Sequence, residues 1–113
     1  MVARTVEAFG RLDALVNNAG YAPPAEVEQK TPDMIRDIFA VNAVAPATAV
    51  AQAWPHFKRQ FGATGKGGVV VNVSSYSTAD PFPTLVIYAS AKGAVNVLAR
   101  AVANAGRAWG VRG

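Results

Sequence analysis

Apolar residues along this chain recur in two different periods, and the switches between them mark out the elements. Val2, Val6 and Phe9 fall at helical spacing, and Gly10 closes that run as a helix C-terminus does. Leu12–Val16 is a short apolar run of the kind a buried parallel strand presents. It leads into Asn17-Asn18-Ala19-Gly20, whose small residues permit a turn and close backbone approach. Thr31-Pro32-Asp33 has the chemistry of a helix start: a hydroxyl at the N-cap, proline at N1 and an acid in the first turn. Ile35, Ile38, Phe39, Val41, Val44 and Ala45 then supply a broad apolar surface, so a helix is expected over 31–54, with Pro55 interrupting it. Residues 56–61 suit a helix tail or connection, and the glycine-rich 62–68 a surface loop. Val69–Val73 is a second strand, 76–86 a loop with Pro81 and Pro83, and 89–109 the longest helix. Val111-Arg112-Gly113 has the look of a third strand at its start.

The order is therefore helix end, strand, helix, strand, helix, strand start, which is an α/β pattern. Two complete strands fall short of the roughly four to six usual in a doubly wound sheet. The expectation is a middle slice of a larger single domain. Pro46 stands out inside the first long helix. It has no N–H for the Asn42 carbonyl four residues back, and its ring pushes that carbonyl aside. A kink is expected there, with water or a capping group satisfying the carbonyl.

Composition narrows the class. The chain has 113 residues, 51% of them apolar, and no cysteine, which suits one domain and excludes a disulfide scaffold and thiol catalysis. The lack of cysteine is compatible with a reducing cytoplasm, where the chain is expected to reside. No uninterrupted apolar run approaches the ~20 residues that span a bilayer, so no membrane partner is expected. The net charge of +4 is scattered without a basic stripe, which argues against nucleic acid. His56 is the sole histidine and has no clustered partners, so no metal site is expected.

The candidate chemistry lies in Tyr88-Ala89-Ser90-Ala91-Lys92. On a helix, positions four apart share a face about 6 Å apart, so the phenol and the ammonium meet the same space. A cation that close favours the phenolate and draws the tyrosine below its usual value of about 10. The spacing alone fits a surface tyrosine and a solvated lysine equally well.

Taken together, Asn17-Asn18-Ala19-Gly20, Val41-Asn42-Ala43, Val71-Asn72-Val73-Ser74-Ser75 and Tyr88-Ala89-Ser90-Ala91-Lys92 resemble the short-chain dehydrogenase/reductase family, in order and over essentially the whole chain. The resemblance implies a Rossmann-like three-layer (αβα) doubly wound parallel sheet, of which these residues form a fragment. It implies NAD or NADP as cofactor and a carbonyl or secondary alcohol as substrate. Tyr88 matches the tyrosine that exchanges a proton with the substrate oxygen. Lys92 matches the lysine that binds the nicotinamide ribose and lowers the tyrosine's pKa. Ser75 matches the serine that hydrogen-bonds the substrate oxygen, with Ser74 facing the other way. Asn42 matches the asparagine whose backbone carbonyl holds a relay water, and Asn18, Ala19 and Gly20 the segment lining the adenosine side. Family members commonly form homodimers or homotetramers through the helices matching 31–54 and 89–109. The family's Gly-rich βαβ unit and its C-terminal lid have no counterpart in residues 1–113, so weak or absent cofactor binding is expected of the chain alone. A catalytically silent, oligomerising fragment is the alternative to an active oxidoreductase.

Overall fold

The computed structural model describes residues 1–113. Strand β1 (Ala14–Asn17) pairs in parallel with β2 (Val69–Asn72), with Ala14 opposite Val69 and Asn17 opposite Asn72. The expected third strand is present as a single parallel bridge from Arg112 to Val69 on the other edge of β2. There the Val70 N–H donates to the Arg112 carbonyl at 2.8 Å. Alternation along the strands sorts the two faces. Leu15 and Val70 are buried, while Val16 and Val71 on the opposite face remain exposed. Helices cover the first face. Val2, Leu12, Val50, Ala53, Phe57, Val102 and Val111 join Leu15 and Val70 in one apolar core. A small parallel sheet flanked by helices is part of a Rossmann-like α/β arrangement.

Helix α1 (Val2–Phe9) ends at Gly10, whose N–H returns to the Val6 carbonyl. Helix α2 (Pro32–Phe39) starts as its residues dictate, with the Thr31 hydroxyl accepting from the Met34 N–H at 3.2 Å. It passes through a π-helical turn, Ala40–Val44, into α3 (Ala45–Thr64). The irregularity expected at Pro46 thus takes the form of a wider turn just before it, in which the Ala45 N–H reaches the Ala40 carbonyl five residues back.

Several boundaries differ from the sequence expectation. The helix expected over 31–54 does not stop at Pro55; α3 runs on to Thr64, and the loop expected over 62–68 shrinks accordingly. Pro55 lies on the exposed face, as does Ala51, whose carbonyl it cannot serve, so water is available to that carbonyl. Val50, Ala53 and Phe57 meanwhile keep the same helix seated in the core. Replacing Pro55→Ala restores an N–H donor without touching the core. It should stabilise the chain by about 2 kcal/mol, the helix gain less the lost restriction of the unfolded chain. Thermal melting checks this; a lower Tm would mean that the ring is needed.

Helix α4 (Val86–Gly106) starts before the expected 89 and hands over to a 3₁₀ turn at Arg107–Trp109. The loop over 76–86 contains two more such turns, Tyr76–Thr78 and Pro83–Leu85. Strand β1 is shifted toward the turn relative to Leu12–Val16, and β2 ends one residue before Val73. Contrary to the run-length reading, two helical stretches, Pro32–Thr64 and Pro83–Trp109, are long and apolar enough to cross a membrane, each with mean hydropathy 1.3. Their apolarity is spread over alanine and valine between isolated Asn, Thr and Gln, which no uninterrupted run reveals. Both contribute residues to the core.

Candidate active site

Parallel register brings the ends of β1 and β2 side by side, and the Asn17 side-chain amide donates to Asn72 Oδ1 at 2.8 Å across them. The chain leaves β1 into Asn18-Ala19-Gly20 and leaves β2 into Val73-Ser74-Ser75. This is the edge where open α/β sheets hold ligands. Lys92, in the second turn of α4, reaches it from below. It is only 3% exposed, and its Nζ donates to the Val73 carbonyl at 2.7 Å. A buried ammonium needs such partners, and this bond uses one of its three donors.

Gly20 sits beside that ammonium. A β-carbon on Gly20 would lie 3.9 Å from Lys92 Nζ and 3.4 Å from Asn42 Oδ1, so the bare Cα leaves room between the turn and both polar groups. Tyr88 is half-buried one helical turn before Lys92, with its ring centroid 5.8 Å from Nζ. The expected i, i+4 pair therefore does share a face.

Asn42 is fully buried in the π-helical turn. Its Nδ2 donates to the carbonyls of Tyr21 (2.7 Å) and Ile38 (2.8 Å), and its Oδ1 accepts from the Tyr21 N–H (3.2 Å). The side chain thus stitches the helix to the segment just after Gly20. Ser75 caps the turn Tyr76–Thr78. Its Oγ accepts from the Ser77 N–H at 3.2 Å and shares a 2.7 Å hydrogen bond with the Ser77 hydroxyl. Thr78 fastens that turn: its hydroxyl donates to the Ser75 carbonyl at 2.8 Å and accepts from Asn96 of α4 at 3.3 Å. The neighbouring Ser74 hydroxyl is buried without a hydrogen-bond partner.

The structure therefore brings Gly20, Asn42, Lys92 and Tyr88 into one neighbourhood. Ser75 lies on an adjoining turn tied to the same helix, with its hydroxyl engaged by Ser77. Asn18 and Ala19 are exposed on the turn leading to Gly20. Sequence reasoning missed three contributors: the Val73 carbonyl, the Tyr21 backbone and Ser77. Backbone partners carry no side-chain signature. Ser77, two residues beyond Ser75, was visible as a serine-turn signal.

The short chain dehydrogenase family matches residues 1–112. An uncharacterized oxidoreductase of Methylorubrum extorquens is 38% identical over 104 residues, a match covering 92% of this chain and 39% of that protein. The L-fucose dehydrogenase of Rattus norvegicus is 33% identical over 113 residues, covering 99% of this chain and 40% of that one. Among solved structures, the 3-ketoacyl-(acyl-carrier-protein) reductase of Brucella melitensis complexed with NADH superposes with TM-score 0.91 at 33% identity, over 98% of this chain and 46% of that chain. The acetoin dehydrogenase of Salmonella typhimurium does so with TM-score 0.88 at 26% identity, over 97% and 42%. The chain spans about two fifths of the length of these curated relatives. With the family's match running from the first residue to the last but one, and the strand-end turns meeting a buried lysine as described, this chain belongs to the short chain dehydrogenase family.

Proposed function

We propose that these residues carry the proton-transfer side of an NAD- or NADP-dependent oxidoreductase acting on a carbonyl or secondary alcohol, and that the 113-residue chain alone is catalytically silent. The observation that carries the first part is the buried Lys92 ammonium, with donors to spare, beside Gly20 and one helical turn from Tyr88. Vicinal ribose hydroxyls are the acceptors such an ammonium suits, and the bare Gly20 leaves room for them. The nicotinamide cofactor, when bound, supplies the hydride chemistry.

The chain's own residues then have distinct tasks. The Tyr88 hydroxyl gives a proton to the substrate oxygen in reduction and takes one in oxidation. Ser75 donates a hydrogen bond to the same oxygen, steadying the charge that develops there. Lys92 orients the ribose and places positive charge near the phenol. The Asn42 side chain is fully committed to Tyr21 and Ile38, so its part in a water relay falls to its backbone carbonyl. Asn18, Ala19 and Gly20 border the adenosine side.

The second part rests on what the sequence contains. It has no G-x-x-x-G-x-G turn to receive the dinucleotide phosphates. We expect NADH to bind the chain with a Kd of ~1 mM or weaker, shifting the amide resonances of Gly20, Asn42 and Lys92. A micromolar Kd by nicotinamide fluorescence would overturn the silent reading, and shifts confined to other residues would overturn the site. The chain then acts as a structural, self-associating piece. An apolar groove lined by Ala43, Val44, Ala47, Ala94, Val97 and Leu98 lies between the helix holding 31–54 and that holding 89–109. Homodimers or homotetramers through these helices are the expected assemblies.

A further inference from the structure

Away from the strand ends, the last turns of α3 stand beside the C-terminal end of α1 and border a cavity of about 360 Å³. Val6, Phe9, Leu12 and Ala63 give it apolar walls, and His56 and Arg59 add polar ones. The cavity depends on α3 continuing past Pro55, which carries His56, Arg59 and Ala63 to this place. Gln60 holds it in shape. Its Oε1 accepts from the Leu12 N–H at 3.2 Å, and its Nε2 donates to the Gly67 carbonyl at 3.1 Å.

The charge here is one-sided, because no carboxylate lines the cavity. Arg11 borders it too, but its guanidinium forks onto Asp13, with Nε donating at 2.8 Å and Nη2 at 2.5 Å. That hydrogen bonding holds the Asp13 carboxyl below its ordinary range and compensates the charge of Arg11. Arg59 has no acidic partner. Its Nη2 meets His56 Nδ1 at 2.7 Å instead. A guanidinium only donates, so in this contact Nδ1 is the acceptor and Nε2 is the ring's N–H donor. An uncompensated guanidinium and a second N–H donor therefore adjoin an apolar hollow.

We propose that this cavity binds a small amphipathic monocarboxylate. The carboxylate takes the open donors of Arg59, with His56 Nε2–H as a second contact, and the apolar body lies against Val6, Phe9 and Leu12. A single uncompensated cation suits one negative charge rather than two. At roughly 30 Å³ per water-sized group, the volume admits about a dozen non-hydrogen atoms, the size of a medium-chain or aromatic acid. The cavity shares no residue with the proposed active site, so either can fail without the other.

Titration of the ¹⁵N-labelled chain with hexanoate, benzoate, hexanol and inorganic phosphate tests this. Saturating shifts are expected for Phe9–Leu12 and His56–Thr64 with both carboxylates, at least tenfold weaker with hexanol and absent with phosphate. Arg59→Gln should weaken hexanoate at least tenfold while resonances outside the cavity stay in place. Equal response to hexanol would reduce the site to a bare apolar groove and overturn the proposal. So would saturation by phosphate, or shifts centred on Gly20 and Lys92. The comparison of hexanoate with hexanol needs no variant, so a poorly folding Arg59→Gln chain leaves the test intact.

Discussion

Replacing Gly68→Ala is expected to destabilise this chain by ~3 kcal/mol or more. A β-carbon at Gly68 would overlap the ring of Phe57. Phe57 is completely buried and belongs to the one core the molecule has, so the ring has nowhere to retreat. A domain of this length has roughly 5–15 kcal/mol of stability in total, and overpacking a close-packed core costs ~1–3 kcal/mol even when the neighbours can shift. Here the added carbon also sits next to β2, where the Arg112 N–H donates to the Gly68 carbonyl at 3.0 Å and forms part of the third-strand bridge. Circular dichroism and urea denaturation would read the loss. Shortening the ring in a Gly68→Ala, Phe57→Leu double variant should recover part of the stability, because the clash is between these two side chains. A Gly68→Ala chain as stable as the parent would contradict the packing of α3 against β2.

Asn42→Ala is expected to cost ~2–4 kcal/mol, because it removes three hydrogen bonds to backbone groups at once, one of them buried and two part-buried, each worth ~0.5–1.5 kcal/mol net. Those groups are the Tyr21 N–H, the Tyr21 carbonyl and the Ile38 carbonyl. The local consequence bears on function. With the stitch gone, the segment after Gly20 is no longer held to the π-helical turn, and hydrogen exchange at Gly20 and Tyr21 should quicken more than in α4. Asn42→Asp keeps an acceptor for the Tyr21 N–H but loses both donors, so it should not rescue. A loss below ~1 kcal/mol in urea would mean that water readily replaces the amide.

How much of this could be read beforehand depends on the range of the interaction. The Thr31 cap, the helix end at Gly10, the two valine- and leucine-bearing strands and the Tyr88–Lys92 pair were all legible, since each is an arrangement among residues within about one helical turn or one short run. The family's motifs added the catalytic roles proposed for these residues. The π-helical turn was half legible: Pro46 announced an irregularity, yet its form depended on Asn42 finding Tyr21 and Ile38.

Pro55 shows the opposite case. Local chemistry says that proline ends a helix, and the stop expected there is absent, because α3 runs through Pro55 to Thr64. The fold overrode it because the proline faces solvent while Phe57, two residues on, is buried in the core. The cavity around Arg59 follows from that override and had no sequence signal of its own.

Local order was thus written in neighbouring residues: the alternation of helix and strand, the caps, and the placing of tyrosine one turn from lysine. Packing settled everything that joins distant positions. Lys92 finds its acceptor 19 residues away at Val73, Asn42 its partners 21 away at Tyr21, and Asn17 its amide partner 55 away on β2. The reason is that a polar group's need for a partner is evident from its chemistry, but the partner's identity depends on which backbone atoms the buried apolar face brings within 3 Å.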